Sequence, residues 1–337
     1  MKSLVVLPVI LMAMLLFSFP GQAHVPVIAS GNENISSAIY VSDPDKSWAI
    51  YGFLEPETAQ FYSFDLVEGE GIYLSLLKSA DPNEQHFQPS LALLGPGVKM
   101  TGQMPRHVVL PQNPEDFWTL TVQGISAINA TYEPFGPSSY VEMATINLSS
   151  PKSARYYAIV YSNDTAGHYS LAVGTREEFS FSERITTPVR LISVYLWEGQ
   201  SLGMILIPFL AAEFIGILIF WRGTRRTAFR LAGTLAGFLF MATSVTVLTQ
   251  GVFSLTRAPF GDEVYITLAI AVFHAVLGVA SVRLAGGEAG ILQRILMAIA
   301  GTIALLAGSG LILGPILAMV ASFLPSKRRA VPRNAIE

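Results

Sequence analysis

Two ionisable residues stand inside long apolar runs: Glu213 within residues 202–221 and His274 within residues 264–282. A carboxylate in hydrocarbon is costly unless it finds a partner. If both runs cross a membrane in the same direction, the two side chains lie slightly past the midpoint, at one depth. A Glu–His pair of that kind can relay protons or bind a cation. It can equally be one interhelical hydrogen bond, or a protonated Glu213 can turn towards Thr243 and Thr246 in the intervening run. His24 is the next candidate. If the chain is cut after Ala23, the free amine and imidazole of His24 form a copper-chelating pair, though a further histidine such as His86 or His107 would have to join it. Asp43-Pro44-Asp45 offers two carboxylates, which a turn needs no less than a metal does. No P-loop, Rossmann glycine pattern, H-E-x-x-H or G-x-S-x-G occurs. No catalytic residue, cofactor or metal site is therefore assigned.

The elements that must position these residues follow from composition. The 337 residues are 51% hydrophobic and 13% charged, against roughly 25% charged in an average soluble chain. Mean hydropathy is +0.48. Charge divides the chain. Residues 24–190 hold 9 Lys/Arg and 18 Asp/Glu, a net of −9, while residues 191–337 hold 11 and 6, a net of +5. An acidic, water-loving half precedes an apolar one. Cysteine is absent, which excludes disulfides, thiol catalysis and Cys-type metal sites. About 160 residues in the first half suffice for one sizeable core.

The start of the chain reads as an export signal. Met1-Lys2-Ser3 is followed by an apolar run to Phe19, then by Pro20-Gly21-Gln22-Ala23 with small residues suited to cleavage after Ala23. An uncleaved anchor is the alternative. Four of the seven asparagines in residues 24–190 head N-x-[ST] sequons: Asn34, Asn129, Asn147 and Asn163. Glycosylation at these positions requires export and an accessible surface.

The exported segment, residues 24–185, reads as short strands between turns. They are expected at 38–41, 47–54, 60–66, 71–77, 90–94, 117–122, 141–147, 155–162 and 168–174, with no convincing helical period. In 60–66, Tyr62, Phe64 and Leu66 share one face and Phe61, Ser63 and Asp65 the other. Glu68-Gly69-Glu70-Gly71, Gly95-Pro96-Gly97 and Asp164-Thr165-Ala166-Gly167 are turn chemistry. An antiparallel sandwich is expected. Gln60 to Leu66, Glu68-Gly69-Glu70 and Ile72-Tyr73-Leu74-Ser75-Leu76 resemble the opening of the bacterial and archaeal pre-peptidase C-terminal domain. Pro89 to Gly97 is similar to its following strand, and Tyr156 to Val160 with Gly167 to Val173 to its closing pair. The resemblance covers about residues 47–174, around a long central insertion. It implies a jelly-roll-like, non-catalytic accessory module that binds ligands, surfaces or partner domains. Some members of that family bind calcium, but no ligand set maps onto this chain.

A linker at 186–201 leads to the apolar half, residues 202–325. Spans are expected at 202–221, 231–248 and 264–282, each near the roughly 20 residues a bilayer demands. The remainder, 289–325, breaks at Gly308-Ser309-Gly310 into a fourth span and a short fifth at 311–324. Charge favours five spans over four. Arg222, Arg225, Arg226 and Arg230, then Arg283 and Arg294, then Lys327, Arg328, Arg329 and Arg333 fall on one side, with Arg257 alone on the other. Residues 326–337 become a basic cytoplasmic tail. Gly233 with Gly237, and Gly310 with Gly314, have the spacing of close helix contacts. Trp197 and Trp221 suit interfacial anchors at the two ends of the first span.

The expected protein is a multi-pass plasma-membrane protein with its N-terminal domain extracytoplasmic. It displays a non-catalytic β-sandwich for ligand or partner binding or assembly. Its partners are the lipid bilayer and a protein in the membrane or at the surface. The arginine cluster after the first span sets topology and does not mark a nucleic-acid site. The alternative is a subunit of a membrane transporter or enzyme in which Glu213 and His274 handle protons or ions.

Overall fold

The computed structural model describes residues 24–110, 118–127, 129–222 and 227–325. The leader at 1–23, Arg225, Arg226 and the basic tail with Lys327, Arg328 and Arg329 lie outside the described residues. An all-β domain of two sheets comes first, followed by six helices.

Eleven strands build the sandwich: β1 (Val25–Ile28), β2 (Ile39–Tyr40), β3 (Trp48–Leu54), β4 (Thr58–Leu66), β5 (Gly71–Ser79), β6 (Ser90–Gly95), β7 (Trp118–Val122), β8 (Thr131–Glu133), β9 (Ser138–Ser149), β10 (Ala154–Ser162) and β11 (Gly167–Val173). The first sheet has the order β1-β3-β11-β5-β9-β8 and the second β2-β4-β10-β6-β7. Period-two alternation explains the core. Tyr62, Phe64 and Leu66 of β4 meet Leu74, Leu76, Tyr156 and Leu171 between the sheets. The opposite face of the second sheet is also covered. Phe61, Leu94, Ile159 and Tyr161 pack under Val108, Met104 and Leu110 of the long insertion. This explains why β6 is buried at every position.

The helices are α1 (Phe181–Trp197), α2 (Leu202–Arg222), α3 (Ala228–Leu255), α4 (Glu263–Gly286), α5 (Ile291–Leu306) and α6 (Leu313–Ala321). Three of them, α2, α3 and α4, are long and apolar enough to cross a membrane. Only 11% of the most apolar window of α2 is buried. An apolar helix with Ile207, Leu210, Phe214 and Ile215 facing outward is a liability in water and ordinary in lipid. This is the signature of a membrane protein. At 1.5 Å per residue, α5 is about 24 Å long and α6 about 14 Å, short of the roughly 30 Å hydrocarbon core. They form a hairpin whose turn contains left-handed Gly308 and Gly310. The hairpin returns to the end of the bundle where α3 begins. The Phe229 amide donates to Pro325 O at 3.5 Å, and Arg294 Nη1 to Ser322 O at 2.7 Å.

The expected glycines sit at tight contacts. A methyl group added to Gly237 would lie 2.7 Å from the carbonyl oxygen of Gly278 on α4, and one added to Gly233 would meet Met297 and Ala285. Gly310 and Gly314 both face the Phe240 ring of α3.

Residues 186–201, expected to be a linker, are largely helical. Pro188 and the β-branched Thr186, Thr187, Val189, Ile192 and Val194 weaken the helical signal of α1. Its start is nevertheless written in the sequence, because Ser180 and Glu183 form a reciprocal capping box. Lys46 then ties Glu183 to the β-domain at 2.7 Å.

Candidate functional site

The first sheet is joined to the bundle through α1 and a buried polar junction. Trp197 ends α1 against the sheet, with its ring edge-on to Tyr51 at 5.0 Å. Its indole N–H is shared between Tyr169 O at 3.0 Å and Gly52 O at 3.3 Å. It is therefore a domain anchor, not the interfacial tryptophan expected. Glu198 follows, fully buried. Its carboxylate accepts from the Ser139 amide at 2.7 Å and from Gln200 Nε2 at 3.3 Å. Gln200 reaches Gln250 of α3 at 2.6 Å. Arg257, just past α3, donates to Glu198 O at 2.7 Å, stacks over Phe253 at 4.4 Å and lies 3.8 Å from Asp81. Across the same junction the Tyr132 hydroxyl donates to Thr267 Oγ1 of α4 at 2.8 Å, and Thr267 donates to Pro134 O at 2.8 Å. These pairings fix how the two halves meet, although Ser139 Oγ and Gln200 Oε1 are left without partners among the described residues.

Two cavities flank α1. On its sheet side is a cavity of about 120 Å³, lined by His24, Tyr51, Glu133, Tyr140 and Trp197 among others. Burial pushes the Glu133 carboxyl up to about 7, although the Phe135 amide donates to it. Burial likewise pushes Glu198 up to about 7, against the opposing pull of the Ser139 amide and Arg257.

On the bundle side is a larger chamber of about 510 Å³. The short α5–α6 hairpin explains it, since the turn at Leu306, Ala307, Gly308 and Leu311 forms one wall. α1 contributes Arg184, Pro188 and Tyr195, and α2 Phe209. α3 contributes Thr246 and Val247, and α4 Ile270, Phe273 and His274. Phe135, Glu177 and Phe179 complete it from the β-domain side. Most of this lining is apolar. His274 is only 4% exposed, and its Nδ1 has no hydrogen-bond partner; nor does Thr246 Oγ1.

No hydrogen bond joins Glu213 to His274. Glu213 does not line the chamber, and its Oε1 is buried without a partner. Thr243 is occupied elsewhere, donating to Leu239 O and accepting from the Gly310 amide. Substituting both residues by Leu singly and together should therefore give losses in detergent thermal stability that add within about 0.5 kcal/mol. A coupling above about 1 kcal/mol would place the two side chains in contact.

His24 Nδ1 bonds to Ser47 Oγ. His107 packs against Tyr161 and His86 against Gln85, and no group of three metal-ligating side chains occurs among the described residues. Asp43 and Asp45 both pair with Arg176, at 2.6 and 2.9 Å. Asn34, Asn129, Asn147 and Asn163 are all exposed on the β-domain. Arg222 ends α2, and Arg230 lies in the first turn of α3. Sequence reasoning missed the junction residues Glu198, Tyr132 and Thr267. Arg257 was visible only as the one basic residue on the far side of the charge pattern, which marked its separateness but not its partner.

No family model matches the chain, and no curated protein matches it. Among solved structures, the chain is similar to the pre-peptidase C-terminal domain of collagenase from Bacillus anthracis, at 17% identity and a TM-score of 0.24, covering 42% of this chain and 96% of that domain.

Proposed function

We propose that this is a membrane-anchored binding protein whose β-sandwich, held on the extracytoplasmic side, closes over a ligand chamber at the top of its helical bundle. The carrying observation is the chamber itself. Its walls come from both halves of the chain, and it is of ligand-pocket size. Mostly apolar lining with a few convergent polar groups is the ordinary make-up of a ligand site. Five membrane passes, the last two made by the short α5–α6 hairpin with local thinning of the bilayer, would return the end of α6 to the side where α3 begins. The return of Pro325 to Phe229 supports that arrangement. The four exposed sequon asparagines suit export of the β-domain. The junction supports a β-domain that works with the bundle as one body. Because Glu213 and His274 share no hydrogen bond, proton or ion handling by that pair is not the function proposed.

Native mass spectrometry of the full chain from its own membranes tests the reading. The wild-type protein should carry a non-covalent mass that is lost when the chamber is filled by Ile270→Trp. Bare protein in both cases would contradict it.

A further inference from the structure

We infer that the chamber holds an acyl chain of a membrane phospholipid, with the lipid phosphate at Arg184. This rests on the binding function proposed above and names its ligand class. Three observations carry it. First, the chamber lies where apolar lining meets apolar exterior. Phe209 of α2 lines it, while Leu206, Ile207 and Leu210 around it on the same helix face outward. α1 adds the outward-facing Phe181, Val189 and Leu196. An acyl chain is the ligand whose chemistry suits both the lining and the exterior.

Second, the rim carries a cation. Arg184 lines the chamber, is exposed, and makes no ion pair among the described residues. A guanidinium at a membrane-proximal rim matches a phosphate in charge and in bidentate geometry. Third, the lining beyond the rim is apolar, and Phe209, Val247, Ile270 and Phe273 offer surfaces for the methylenes of an acyl chain.

The full chain in phosphatidylcholine vesicles, doped with phosphatidylcholine bearing a diazirine in mid-chain, gives the test. Photolabel should appear on peptides containing Ile270 to His274 and Leu306 to Leu311, and also on the outward face of α2. In Ile270→Trp and, independently, Ala307→Phe, the chamber label should fall about tenfold while the α2 label stays constant. That constant label verifies that each variant is folded in the bilayer, and either variant alone decides the outcome. Arg184→Ala should reduce chamber labelling several-fold with the phospholipid and leave it unchanged with a diazirine diacylglycerol, which lacks phosphate. Label confined to the α2 face, or chamber label unchanged in the filled variants, would overturn the inference. Loss of the phospholipid label on adding millimolar inorganic phosphate would overturn it too, by making free phosphate the ligand. A non-lipid mass carried by the wild type and lost in Ile270→Trp would overturn the lipid assignment while leaving the chamber's binding role intact.

Discussion

Trp197→Ala should destabilise the full chain by about 3–5 kcal/mol, the range for removing a large buried aromatic. Trp197 is nearly buried at the end of α1 and touches the sheet by ring and by hydrogen bond. Truncation empties the space beside Tyr51 and removes the donor shared by Gly52 O and Tyr169 O. The first sheet and the bundle should loosen together, because α1 is the layer between them. Trp197→Phe keeps most of the packing and loses the donor, so it should cost about 1–2 kcal/mol. The check is thermal unfolding in mild detergent. An alanine variant as stable as wild type would mean that α1 does not anchor the sheet.

Acid should stabilise the junction. Glu198 is buried, and its carboxyl is raised to about 7 from an ordinary 4.5. The folded state therefore keeps a proton that the unfolded state has lost. The associated stability is complete below about pH 4.5, declines as pH rises towards 7, and changes little above. A shift of this size corresponds to something on the order of 3 kcal/mol across that window. Glu133 is raised in the same sense by its own burial and adds to the decline. Glu198→Gln keeps the acceptor for the Ser139 amide and cannot ionise, so measured against this variant the wild-type thermal midpoint should fall as pH rises from about 4.5 to about 7.5. A wild-type midpoint that rises relative to Glu198→Gln through this window would show that the junction holds Glu198 charged.

The parts of this fold that were legible in the sequence are those whose burial follows a local period. β4 alternates cleanly, and its Tyr62, Phe64 and Leu66 face lies in the core. Uniformly apolar runs marked α2, α3 and α4, and the break at Gly308-Ser309-Gly310 lies in the turn between α5 and α6. Short elements that depend on a distant neighbour were not legible. β1 is four residues long and contains Pro26, and it exists by pairing in parallel with β3. β8 has three residues and pairs with β9. The helical period of α1 is blurred by its proline and branched residues, leaving the capping box as its one clear mark.

The site was less legible than the fold, for a related reason. Counting residues places Glu213 and His274 at one depth, but depth is not direction. α2 and α4 are apolar all round, so no polar stripe says which way a side chain turns. The chamber arises from a mismatch of lengths, with α5 and α6 too short to fill the bundle. Its lining comes from parts of the chain as distant as Phe135 and Leu311. The junction pairs residues 59 and 135 positions apart, Glu198 with Arg257 and Tyr132 with Thr267. No local pattern encodes such partners.

The central claim is that the β-sandwich and the helices are one body, and the Tyr132–Thr267 hydrogen bond tests it most directly. The two residues belong to different halves of the chain, and their oxygens are 2.8 Å apart in a buried setting. Tyr132→Phe and Thr267→Val each remove one side of the contact with little change of shape. Stability of the wild type, both single variants and the double variant, measured on the full chain in mild detergent, gives the coupling. One cooperative transition and a coupling on the order of 1 kcal/mol are predicted. Strictly additive losses, with the β-domain and the helices melting in separate transitions, would contradict the account.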